Sequence, residues 1–168
     1  MKAITAVLLV LFLAVLAVVP ALAQAPVAPP PPQIAYGAPI SLEQAKKAMA
    51  GAEAEAMKNK WNVVITVLDS GGHLVAMHRL DGTQLGSIDA ARDKAYSAVL
   101  YRRPTKVFQD LVGQGGANLR LLRLSGASPL EGGIPIIVDG KLVGAIGVSG
   151  VTSEQDAQVA KAGADTLK

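Results

Sequence analysis

The chain has 168 residues, no cysteine and a formal net charge of +3 at neutral pH. That length fits one domain, and the missing thiols exclude disulfides, a lipid anchor on cysteine and every thiolate ligand or attachment. So small a positive excess gives no electrostatic footprint for nucleic acid.

Lys2 precedes an apolar run from Ala3 to Val19, followed by Pro20 and the small-residue sequence Ala21-Leu22-Ala23. This is the layout of a secretory signal peptide, cleaved after Ala23. Its loss removes one positive charge, so neither a membrane nor a nucleic-acid partner is expected afterwards. The expected destination is the periplasm or the exterior. Residues 24–39 hold the run Pro29 to Pro32, which favours extended polyproline II and cannot build a core. The stretch is read as a disordered spacer, and the folded domain is placed at 40–168.

Ser41 and Gln44 have the spacing of a capping box, with Ile40 where a hydrophobic staple stands. A helix is predicted from there to Lys58-Asn59-Lys60, with Leu42, Ala45, Met49, Ala52 and Ala56 as its apolar stripe. Asn62 to Leu68 and His73 to Arg79 then flank Asp69-Ser70-Gly71-Gly72, a hairpin signal. Ser87 is taken as the N-cap of a second long helix, ended by Pro104. Ile88, Ala91, Ala95, Ala98 and Val99 form its buried stripe, which sets Lys94, Ser97 and Tyr101 on another face. Thr105 is assigned as the cap of a short helix ending at Gly113, and Ala117 to Leu124 is ambiguous.

Gly132 to Gly150 contains two β-branched runs joined by Asp139-Gly140, the strongest short-range hairpin signal in the chain. Its glycines leave the backbone bare, for a tight bend or for close approach by another backbone or a ligand. Thr152 or Ser153 starts the final helix, with Glu154 and Asp156 at its positive end. The order αββα(α)ββα, with two antiparallel hairpins between helices, predicts an α+β fold in which helices pack on an antiparallel sheet.

The blocks LDSGGHLVAMHRLDG (68 to 82), SIDAARDKAYSA (87 to 98), GGIPIIVDGKLVGAIGVSG (132 to 150) and SEQDAQVAKAG (153 to 163) resemble the GlcG/HbpS-like family of haem-binding proteins in order, spacing and wording. The resemblance runs from about Ile40 to the C-terminus. It implies a profilin-like fold, homo-oligomers and a haem ligand. Family members also carry a haem-degrading label. That chemistry requires an electron donor and an oxygen path that no residue pattern here reveals, so the expectation is a binding protein for haem capture, buffering or redox sensing.

A haem site needs an open apolar groove, a nitrogen or oxygen ligand for iron and basic residues for two propionates. His73 and His78 are the only histidines; five residues apart on a strand, they face opposite ways and cannot share a metal. His78 shares its predicted face with Leu74, Ala76 and Leu80, where it is either a half-buried hydrogen-bonded side chain or an axial ligand. Tyr96, Tyr101 and Thr105 offer oxygen, and the candidate iron ligand is His78 or Thr105. Arg79, Lys94, Arg102 and Arg103 are the propionate candidates. Two other classes remain open: an accessory protein binding a small carboxylate or a corrinoid, and a structural oligomeric module. No hydrolase elbow, zinc-spaced histidine pair or phosphate loop stands in a suitable context.

Overall fold

The computed structural model describes residues 33–168. The predicted signal peptide and most of the predicted spacer lie outside them. A short strand β1 (Ala35–Tyr36) leads into α1 (Leu42–Asn59), the hairpin β2 (Val64–Asp69) and β3 (Leu74–Arg79), and α2 (Ser87–Tyr101). The short α3 (Lys106–Gly113) and a 3-10 segment (Gly116–Arg123) precede the hairpin β4 (Gly133–Val138) and β5 (Lys141–Ser149), then α4 (Ser153–Ala164). The fold is the expected mixed α+β arrangement.

The capping box forms as read: Gln44 N donates to the Ser41 hydroxyl, and the Gln44 side chain accepts from Ser41 N. Thr152 and Gln155 repeat the device at α4. At the second hairpin, Asp139 and Gly140 both take left-handed φ, 50° and 73°, as a type I′ turn requires. The 3-10 helix is the outcome at the stretch left ambiguous in the sequence.

β2 and β5 pair antiparallel from Val64 opposite Ser149 to Asp69 opposite Gly144, which welds the two hairpins into one sheet. β5 is the hub, because it also carries β4 and a parallel ladder to β1 at Lys141 and Leu142. That parallel ladder is an addition to the predicted antiparallel sheet. Gln33 to Pro39 are therefore tied to the domain, contrary to their assignment to the spacer. Gly37 N donates to Leu142 O at 2.7 Å, the Tyr36 hydroxyl donates to Val99 O at 3.0 Å, and Arg102 lies over the Tyr36 ring.

α1 and α4 cover one face of the sheet, against Ile65, Val67, Ile146 and Val148. α2 covers the other with Ala95, Ala98 and Val99 against Leu68, Leu142 and Ala145. Burial on both faces explains why β2 reads as a continuous apolar run and not as an alternation. Leu42 departs from the predicted stripe, being 54% exposed, while Ala48 takes a buried place.

Contact with α2 is closer than side chains allow. Gly133 and Gly147 are cross-strand partners. A Cβ on Gly133 would come 2.2 Å from Lys94 O, and one on Gly147 would come 2.1 Å from Ala91 O. The backbone of α2 thus rests on bare strand. Ser87 is drawn into this contact as a buried first helical residue, its hydroxyl accepting from Ser149 Oγ at 3.3 Å, so Gly86 and not Ser87 holds the cap position.

Lys94 and Ser97 are also buried, which corrects their placement on a separate face. The Lys94 ammonium donates to Asp156 Oδ2 at 2.7 Å and to Val148 O at 3.0 Å. Since Asp156 belongs to α4, this pair ties together helices that cover opposite faces of the sheet. Burial pushes the Asp156 carboxyl above its ordinary range, opposed by Lys94 and by the amides of Val151 and Gly150.

Two stability measurements follow from this packing. Gly147→Ala should cost about 1–3 kcal/mol in urea unfolding, because rigid backbone must give way; an unchanged midpoint would mean that α2 stands further off the sheet. Lys94→Ala should cost about 3–5 kcal/mol by leaving Asp156 buried and unpaired, and Lys94→Met combined with Asp156→Leu should recover most of that loss.

Candidate functional site

The site is built on the turn between β2 and β3. Asp69 Oδ1 accepts from Gly71 N at 2.8 Å and from His73 N at 2.9 Å, and faces His73 Nδ1 at 3.3 Å. The backbone closes beneath it through Gly72 N to Asp69 O at 3.0 Å. Partial burial raises the Asp69 carboxyl, but the two amides and the imidazole outweigh it and hold the group below its usual range.

Glycines leave room for the rings. A Cβ on Gly71 would meet His73 Nδ1 at 2.8 Å, and one on Gly72 would meet Tyr96 Cε2 at 2.8 Å. His73, Tyr96, Arg92 and Asp93 therefore line one groove of about 460 Å³ with the two glycines. Beyond the ring lies a second groove of about 350 Å³, bounded by Asp93, Tyr96 and the loop Gly126 to Pro129. Gly126 would bring a Cβ within 3.1 Å of the opposite ring edge, so Tyr96 stands between two bare backbones. Ser97 Oγ accepts from Ser128 N at 3.0 Å and fixes that loop to α2.

The structure brings only His73 and Tyr96 together from the predicted set. His78 points to the α1 side, with Nδ1 2.5 Å from Glu53 Oε1 and a side chain 55% exposed, which matches the hydrogen-bonded reading of the two. As expected, the two histidines do not meet. Thr105 is corrected as an iron ligand, because its hydroxyl is fully buried and accepts from Gly133 N at 2.9 Å. Lys94 is corrected as a propionate partner by its pairing with Asp156. Arg102 holds Ile34 O and stacks on Tyr36, and Arg103 donates to Tyr101 O and lies over Phe108, so neither reaches the groove. Tyr101 donates to Ser125 O and packs edge-on against Phe108. Arg79 is exposed at the end of β3, opposite Val64.

Arg92 and the Gly126 to Pro129 loop were missed. The spacing of Arg92 and Tyr96, four apart on α2, places them on one face and was a readable signal. Asp69→Asn should flatten acid-side destabilisation. The folded carboxyl sits below its unfolded value, so its stabilisation is present above about pH 4 and is lost as pH falls through the folded value. Thermal melts from pH 6 to pH 2 should show the wild type and the variant converging at the acid end; a constant gap would contradict this.

Comparison with known proteins places this geometry in context. Residues 40–165 match the family described as haem-degrading protein HbpS-like. Protein GlcG of Escherichia coli strain K12 is 43% identical over 110 residues, spanning 66% of this chain and 81% of GlcG. A crystal structure of a double mutant of Streptomyces reticuli HbpS superposes with a TM-score of 0.71 at 33% identity, covering 87% of this chain and 99% of that one. The crystal structure of a complex of PduOC with haem superposes with a TM-score of 0.70 at 26% identity, covering 77% and 96%. The family match spans α1 through α4, both hairpins and the His73 turn, and on that ground the chain belongs to the HbpS-like family.

Proposed function

We propose that this protein binds haem in the groove beside Tyr96, after export to the periplasm or the exterior, and serves haem capture, buffering or redox sensing. The observation that carries the reading is a relative of the same fold crystallised with haem. The groove beside Tyr96 offers groups for an iron and for a carboxylate, while its walls are mostly polar or glycine and the Tyr96 ring is the apolar face. His73 has a side chain 81% exposed, Tyr96 adds a ring and a phenol, and Arg92 adds a guanidinium. Haem, when bound, supplies a redox-active iron centre and an intense Soret band.

His73 offers an imidazole nitrogen to the iron. Arg92 pairs with a propionate through a charge-assisted bond, and Asp93 repels carboxylates from its own side, which gives the groove a direction. Tyr96 supplies an apolar ring face, and Gly71, Gly72 and Gly126 leave a flat ligand room to approach. Leu100, Leu119, Leu122, Leu124 and Leu130 are exposed on α2 and in the segments between α3 and β4. We assign these leucines to homo-oligomer contacts, which would remove apolar surface from water.

A Soret titration of the chain from Gln24 tests the proposal. Saturable binding is expected, weakened about tenfold or more by His73→Ala and unaffected by His78→Ala. Arg92→Ala should weaken binding in a salt-dependent way. Unsaturable absorbance, or indifference to His73→Ala, would overturn the reading. Thermal stabilisation by small carboxylates that depends on Arg92, without haem binding, would favour the organic-acid accessory role.

A further inference from the structure

The turn that carries His73 does more than expose it. Asp69 Oδ1 is the common acceptor of the whole loop, taking both amide bonds and facing Nδ1 of the ring at 3.3 Å. The imidazole lies over Gly71 so closely that a methyl group there would stand 2.8 Å from Nδ1 and 2.9 Å from Cε1. The pair stands at ion-pair distance and not in hydrogen-bond geometry, so the carboxylate acts on Nδ1 through its charge. A neutral imidazole carries a single N–H, and a negative charge 3.3 Å from Nδ1 favours the tautomer with hydrogen on Nδ1 and the lone pair on Nε2.

We propose that Asp69 is a positioning residue, which fixes the tautomer and orientation of His73 so that Nε2 is presented as a ligand for a metal centre in the groove. The inference rests on the haem-binding reading for the identity of that centre, but the tautomer is a property of the ligand-free chain. The carboxylate also raises the electron-donating power of the imidazole, which stabilises a ferric over a ferrous iron. Asp69 does not touch the ligand; it acts through His73.

The experiment reads the ring first without haem. Long-range 15N–1H correlation spectra of the haem-free protein at about pH 8.5, where histidine is neutral, should show His73 as the Nδ1–H tautomer. Gly71→Ala pushes the ring away from the carboxylate without altering its charge. It should return His73 to the Nε2–H tautomer that predominates in unstructured peptides, leaving the His78 signals in place. With haem added, Asp69→Asn keeps an oxygen for the two amides but removes the charge. It should move the midpoint potential in the positive direction and weaken binding by about tenfold, with the Soret maximum retained.

A wild-type His73 in the Nε2–H form would overturn the proposal even if haem binds. An unchanged potential in Asp69→Asn would overturn its electronic part. A fixed Nδ1–H tautomer in a protein that binds no haem would instead overturn the haem reading and leave the orienting role standing. Because the decisive spectrum is that of the wild type, a variant that failed to fold would not obscure the result.

Discussion

The seating of α2 on the sheet is the constraint on which the rest of the molecule depends. Gly133 and Gly147, paired across β4 and β5, let the backbone of the helix touch the backbone of the strands at Lys94 and Ala91. Contact between backbones leaves little freedom to rotate or slide, since no flexible side chain lies between them. The helix is therefore held at one azimuth. That azimuth turns Lys94 inward to Asp156 and turns Arg92 and Tyr96 outward to the groove. The ion pair and the site are two consequences of one packing decision.

The site itself is economical. A single carboxylate on the last residue of β2 organises a turn that contains Gly71 and Gly72, whose lack of side chains makes room for the rings of His73 and Tyr96. The polar groups converge between a short hairpin turn and α2, not at the tip of a long loop, which favours defined geometry over adaptability. Satisfaction of the backbone within the turn also means that a bound ligand need not order the segment.

Much of the fold was legible because local signals agreed with the tertiary structure. The capping box at Ser41, the helix start at Thr152, the Asp139-Gly140 turn and both hairpins form where the residues indicated. Three of the misreadings concern polar residues that the tertiary structure buries. Lys94 and Ser87 are polar yet lie in the α2 contact, and Thr105 serves a backbone amide on β4. Tyr36 and Arg102, distant in sequence, meet only once the arm has paired with β5. The partnership of His73 with Tyr96 was also beyond the sequence, because it depends on where α2 sits over the turn. The sequence blocks indicated the family, and no spacing rule could have selected the groove.

Tyr96 separates two grooves with a single ring, supported by Gly72 on one edge and Gly126 on the other. Neither support has a side chain that could yield, so a displacement of the ring toward one groove comes directly at the expense of the other. Asp93 borders both grooves as well. The two spaces therefore share one wall, and a ligand that shifted the Tyr96 ring in the first would reshape the second without touching anything in it.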